Sequence, residues 1–124
     1  MDEKEREMSD CIFCEITDGK IPSARVFENE SVIAIRDLHP QAKTHILVIP
    51  KKHVGSLAEL YASEENAREV TAALFSAANK IALQEKLLPG GYRSVINTGI
   101  NGGQSVHHLH LHLLGGEKLG GGFA

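Results

Sequence analysis

His108, His110 and His112 alternate with Leu109, Leu111 and Leu113 in the stretch 104–116. A period of two marks a β-strand with one polar and one apolar face, on which successive imidazole-bearing Cα atoms would stand about 6.7 Å apart. His107 falls on the opposite face. The plainest account of such a row is a solvent-facing strand that happens to be rich in histidine. A second is a metal site, because residues i and i+2 of a strand can chelate one ion, although the third imidazole lies too far along to join easily. A third is nucleophilic catalysis by one imidazole, oriented by its neighbours. The run just upstream, Asn101-Gly102-Gly103-Gln104-Ser105, favours the third, because glycines let backbone N–H groups approach an anion closely and a phosphate held there would lie beside the row.

Cys11 and Cys14 are the only cysteines. In a reducing compartment the C-x-x-C spacing suggests metal or redox chemistry rather than a structural disulfide. A thioredoxin-like motif would follow a buried strand and open a long helix, whereas only a charged segment precedes Cys11.

These residues need a scaffold. The 124 residues suffice for one domain with one core. A net charge of −3, with no basic run beyond Lys51-Lys52, argues against nucleic acid as a partner. No apolar run approaches the length of a membrane span, and the charged stretch Met1–Glu7 has no signal-peptide core, so a cytoplasmic location is expected. Residues 1–10 read as a flexible tail and 117–124 as a flexible Gly-rich tail, with the folded domain at 11–116. A short helix is expected over 11–17, a hairpin at 25–29 and 32–36, and a loop at 37–43. The β-branched run Thr44–Ile49, stopped by Pro50, reads as a strand. Residues 54–60 read as a turn with about one helical turn. Ser63 suits an N-cap, with Glu64 and Glu65 in the first turn of a long helix reaching Leu87. On that helix Val70, Ala73, Leu74, Ala77, Ala78 and Ile81 repeat at helical spacing. A strand over 92–97 and the His strand follow. The pattern is an α+β domain, an antiparallel sheet with one long helix on it.

Four blocks resemble one family in the right order. They are Asp37-Leu38-His39-Pro40-Gln41-Ala42, Thr44 to His53, Gly103-Gln104-Ser105-Val106, and His108-Leu109-His110-Leu111-His112-Leu113-Leu114, the last similar to the histidine triad motif. Together they resemble the Hint branch of the histidine triad superfamily over residues 11–116. The resemblance implies a five-stranded antiparallel sheet with a long and a short helix, and a homodimer whose sheets join into one of ten strands. It implies hydrolysis of purine nucleoside 5′-phosphoramidates, with His110 attacking the α-phosphorus and a backbone carbonyl of the same strand fixing its tautomer. It places His112 and His45 around the phosphate, and Ser105 and Asn97, with Gly103 and Gln104, at the phosphate or the leaving group. Asp37 would take the ribose hydroxyls, and Ile12, Phe13, Ile16, Ile35 and Leu38 would sandwich the base. A structural zinc ion would be held by Cys11, Cys14, His53 and His108; no organic cofactor is implied. The chain departs from the branch in its C-terminal tail, which lacks the usual Trp, and in His107, which stands where an aromatic residue is usual and to which no role is assigned.

Three other functions fit parts of this pattern: a dinucleoside polyphosphate hydrolase of the Fhit type, a nucleotide-binding adaptor with incidental turnover, and a zinc hydrolase using the triad as ligands. The Leu114-Gly115-Gly116 ending and the 37–53 block argue against the first. A closed Cys₂His₂ set would leave no open coordination position for the last.

Overall fold

A computed structural model describes residues 11–121; the tail expected at 1–10 and the last residues of the tail at 117–124 lie outside the described residues. The elements in chain order are α1 (Ile12–Thr17), β1 (Arg25–Glu28), β2 (Val32–Arg36), β3 (Thr44–Pro50), α2 (Leu57–Ser63), α3 (Ala67–Gln84), β4 (Tyr92–Val95) and β5 (Leu111–Gly115). The strands form one antiparallel sheet in the order β1-β2-β3-β5-β4. The expected α+β class, five-stranded sheet, short helix and long helix are all present.

Both faces of the sheet are covered, which explains why β2 and β3 read as unbroken apolar runs. Val32, Ala34, Ile46, Val48, Leu111 and Leu113 pack with Leu74, Ala77, Ala78 and Ile81 of α3. Ile33, Ile35, Leu47 and Ile49 point to the other face and meet Phe13, Cys14 and Ile16 of α1. The Leu/His alternation therefore separates two buried environments rather than a core from solvent. The alanines of α3 let it lie close on the sheet, so the Ala-rich stripe is used up inside the chain. The outward face of α3 carries Phe75 and Leu83, 47% and 60% exposed.

Several boundaries differ from expectation. Ser63 does not start the long helix; it ends α2, its hydroxyl donating to Leu60 O at 3.1 Å. The helical turn expected within 54–60 is a capped helix of its own, with Ser56 Oγ accepting from Glu59 N–H at 3.2 Å. Glu64 and Asn66 take left-handed φ of 57° and 59°, which breaks the chain between α2 and α3. The long helix stops at Gln84, and β4 stops at Val95. Pairing of β5 begins only at Leu111, so His108 and His110 lie on an extended lead-in and His112 alone of the row is within the strand.

Candidate active site

The lead-in passes the end of β3 with Leu109 on the α3 face and His108 and His110 on the α1 face, and two clusters of imidazoles form on that second face. In the first, Cys11, Cys14, His53 and His108 bring their ligand atoms within 4.8 Å of one another. His108 is fully buried, and its Nε2–H donates to Pro50 O at 2.8 Å. A carbonyl only accepts, so His108 Nδ1 carries the bare lone pair. That lone pair faces Cys11 Sγ at 3.3 Å, Cys14 Sγ at 3.6 Å and His53 Nδ1 at 3.2 Å; Cys14 Sγ lies 3.2 Å from His53 Nδ1. The edges of a tetrahedral zinc site with ordinary bond lengths are about 3.5 Å for S···N and about 3.3 Å for N···N. The chemistry of the set agrees with the geometry. Burial pushes the Cys14 thiol up to about 12, helped by Cys11 and Asp18. Burial likewise pushes His108 down to about 4, against the pull of the Pro50 carbonyl. A divalent cation is the partner that turns such thiols into thiolates and takes up a neutral imidazole.

The second cluster, Asp37, His45 and His112, also gathers ligand-type atoms but presents a proton where the first presents a lone pair. The backbone N–H of Gln41 donates to His45 Nδ1 at 3.0 Å. His45 must then carry its proton on Nε2, from which it donates to His112 Nδ1 at 2.9 Å, with Asp37 Oδ2 3.5 Å from the same nitrogen. His112 is thereby left with its proton on Nε2. A metal ion here would have to displace the His45 Nε2 proton, and Nδ1 has no room for it opposite the Gln41 N–H. The second cluster is a hydrogen-bond chain that ends in an N–H donor.

His110 sits between the two clusters, 5% exposed, with Nδ1–H donating to His108 O at 2.8 Å. Its Nε2 is therefore the bare nitrogen. Burial lowers the pKa of His110, against the His108 carbonyl and Asp37, so the ring is neutral near pH 7. Phe13 fixes the ring from one side, edge-on with centroids 5.1 Å apart, and meets His108 at 5.8 Å. His112 flanks His110 at a centroid distance of 4.9 Å.

Other expected site residues are placed as follows. Asp37 Oδ1 accepts from His39 N–H at 2.7 Å, so the carboxylate also shapes its own loop. Of the five apolar residues expected around a base, Ile12 and Leu38 are exposed, whereas Phe13, Ile16 and Ile35 are buried. Asn97 Nδ2–H donates to Gly102 O at 2.8 Å. The N–H groups of Gly102, Gly103 and Gln104 donate inward to Gly99 O, Ile100 O and Gly99 O, so the loop closes on itself instead of offering these groups as an anion nest. Gly102 is required there, because a Cβ would collide with the Thr98 backbone. Ser105 follows the loop and is exposed. His107 points out toward Glu59, 3.4 Å away.

Gln41 and Pro50 contribute through backbone N–H and C=O, and no side-chain pattern could have singled them out. Both set tautomers, and tautomers decide which nitrogen reacts or ligates.

Burial, then His110 and His45, push His112 down to about 4, with Asp37 opposing. A histidine whose folded pKa lies below its unfolded 6.5 stabilises the fold above pH 6.5, and that contribution is lost as pH falls toward 4. His112→Asn keeps an acceptor for His45 Nε2–H and removes the titration. It should flatten the fall of Tm between pH 6.5 and 4, and an unchanged slope in thermal melts across that range would refute the assignment.

A sheet buried on both faces, with a row of tautomer-locked imidazoles crossing its centre, defines a small α+β protein built for histidine chemistry. The HIT domain model matches residues 18–119. A maize "14 kDa zinc-binding protein" is 49% identical over 111 residues, covering 90% of this chain and 85% of its own. The Escherichia coli (strain K12) "Purine nucleoside phosphoramidase" is 43% identical over 109 residues, covering 88% and 89%. The crystal structure of a HIT family hydrolase from Legionella pneumophila Philadelphia 1 superposes with a TM-score of 0.81 at 44% identity, covering 88% of this chain and 95% of that one. The chain belongs to the HIT family and is a hydrolase of that family.

Proposed function

We propose that this protein, a member of the Hint branch, hydrolyses purine nucleoside 5′-phosphoramidates through a nucleotidyl intermediate on His110. One observation carries the reading: the His108 carbonyl holds His110 Nδ1–H at 2.8 Å, which leaves Nε2 as the only bare nitrogen of a neutral, buried ring. In the first step Nε2 attacks the α-phosphorus, the P–N bond breaks, and the nitrogen leaves with a proton as ammonia or an amine. In the second step water attacks the same phosphorus, the bond to Nε2 breaks, and a nucleoside monophosphate is released. One water is consumed overall. The His112 Nε2–H is the donor that would hold a phosphoryl oxygen, worth more as charge builds in the transition state than in the ground state. Ser105 and Asn97 would face the phosphate or the leaving nitrogen, Asp37 the ribose, and Ile12 and Leu38 the outer face of the base. The purine and phosphoramidate assignment also draws on the relative from Escherichia coli.

The test is a steady-state comparison of adenosine 5′-phosphoramidate with diadenosine tri- and tetraphosphate. The phosphoramidate should give the highest kcat/KM. Faster turnover of diadenosine tetraphosphate would overturn the substrate class, and tight binding of adenosine monophosphate without turnover of any of them would favour the adaptor.

We further infer a structural zinc ion on Cys11, Cys14, His53 and His108. A reducing cytoplasm would keep those thiols reduced. No described helix is long and apolar enough to cross a membrane. We also infer a homodimer. β4 is a sheet edge with open backbone groups, and the outward face of α3 presents Phe75 and Leu83. Pairing β4 with its copy would give ten strands and cover that face. Light scattering at micromolar concentration should give twice the 13.5 kDa chain mass. Phe75→Glu with Leu83→Glu should shift the protein toward monomer, and a monomeric wild type would refute the proposal.

A further inference from the structure

We propose that Gln104 is a positioning residue whose side-chain amide braces three stretches of backbone and so aims Ser105 at the group that His110 attacks. The inference rests on the hydrolase reading above and adds a residue that acts without touching substrate. The amide has two N–H hydrogens and one carbonyl oxygen. Nε2–H donates to Gly55 O at 2.6 Å and to Val106 O at 2.9 Å, while Oε1 accepts from Gly99 N–H at 3.0 Å. Both hydrogens are committed to the protein, which leaves Nε2 no donor for a phosphate. The three partners come from different places. Gly55 lies two residues beyond His53, Gly99 opens the Gly-rich loop, and Val106 lies two residues before His108. One side chain thus ties the loop to the turn after β3 and to the lead-in of the triad.

A Cβ at Gly55 would displace only the ends of the exposed Glu59 and His107 side chains, so what the brace uses there is the Gly55 carbonyl. Ser105 differs sharply from its neighbour: exposed, it makes no hydrogen bond to the other described residues through its hydroxyl or its N–H. It sits between two braced points, the Gln104 side chain's own Cα and Val106 O. Its direction is set by them rather than by contacts of its own, and both its polar groups stay available for a ligand. Without the brace, Ser105 would sample many orientations, and alignment in the transition state would suffer before ground-state binding does.

Two substitutions separate the parts. Gln104→Glu keeps an acceptor for Gly99 N–H but sets a carboxylate oxygen against Gly55 O and Val106 O. Gln104→Met keeps the volume and loses all three bonds. In steady-state assays with adenosine 5′-phosphoramidate, Gln104→Glu should lower kcat about tenfold or more while changing KM less than about threefold. In a Ser105→Ala background the same substitution should cost less than about twofold, because what it misplaces is already gone. Costs that multiply in the double variant, or a rise in KM alone, would overturn the proposal, the latter by making Gln104 a direct substrate contact. Hydrogen exchange gives a reading that needs no turnover. Gly99 N–H should lose protection in Gln104→Met and keep it in Gln104→Glu. Unchanged protection in Gln104→Met would overturn the brace even with full activity. Wild-type protein that protects Gly99 but leaves phosphoramidates intact would overturn the substrate reading instead.

Discussion

Replacing His110 by alanine is expected to abolish turnover, by about 10³-fold or more in kcat, while nucleotide affinity changes by less than about tenfold, roughly 1.4 kcal/mol. The asymmetry follows from where the imidazole acts. Its Nε2 forms a bond to phosphorus only along the reaction path, so its loss is felt in the transition state far more than in the bound ground state. The substitution is otherwise mild for the site. His108 O loses a donor at a position next to the cavity that opens, where water can replace it, and the chain Gln41–His45–His112 does not run through His110. Single-turnover kinetics and calorimetric titration with adenosine monophosphate check both halves. Retention of more than about a tenth of wild-type kcat would sink the nucleophile assignment. So would a trapped adenylate on any other residue.

Much of this architecture is legible in the chain because the relevant signals are periodic. The alternation from Leu109 to Leu114 and the run Ile46–Ile49 specify strands, and the spacing from Val70 to Ile81 specifies a helix. Where the reading of sequence misplaces a boundary, two local signals compete. Ser63-Glu64-Glu65 resembles a helix start, yet Ser56-Leu57-Ala58-Glu59 seven residues earlier is a Ser-x-x-Glu cap, and it wins because Leu60 is thereby turned into the core. Two left-handed residues at Glu64 and Asn66 then separate α2 from α3; asparagine is enriched in that conformation, but nothing in the sequence marks Glu64 for it. The row of histidines reads as one strand, but only His112 is paired. His108 and His110 take their positions from a zinc-type cluster and a backbone carbonyl, neither of which has a period. The Gly-rich loop reads as an anion nest, whereas its N–H groups close the loop and its Gln supplies the brace. The side-chain types are visible in sequence; which lone pair faces which neighbour depends on backbone groups of Gln41, Pro50 and His108, which every residue possesses.

The purified protein should carry about one zinc per chain, not two, although two clusters offer three or more ligand-type side chains. The first cluster presents a lone pair on His108 Nδ1, fixed by Pro50 O, together with Cys11 Sγ and a Cys14 thiol that burial would otherwise hold protonated. The second presents an N–H where a ligand would need a lone pair, fixed by the Gln41 N–H. Unfolded chains lack the preformed site, so the ion's binding energy adds to folding. Cys11→Ser with Cys14→Ser should therefore lower Tm by about 10 °C or more. The same double substitution frees α1, which carries Phe13 against His110, so KM should rise more than kcat falls. His110→Ala should leave the metal in place, because its nitrogens take no part in the first cluster. Elemental analysis of protein prepared without chelators checks the stoichiometry, and thermal melts of the double variant check the coupling. Metal below about 0.2 equivalents would end the zinc hypothesis, and a second tightly held equivalent lost in His45→Ala would overturn the tautomer argument. The phosphoramidate mechanism would outlast the first result, since no bond made or broken at the phosphorus involves the ion.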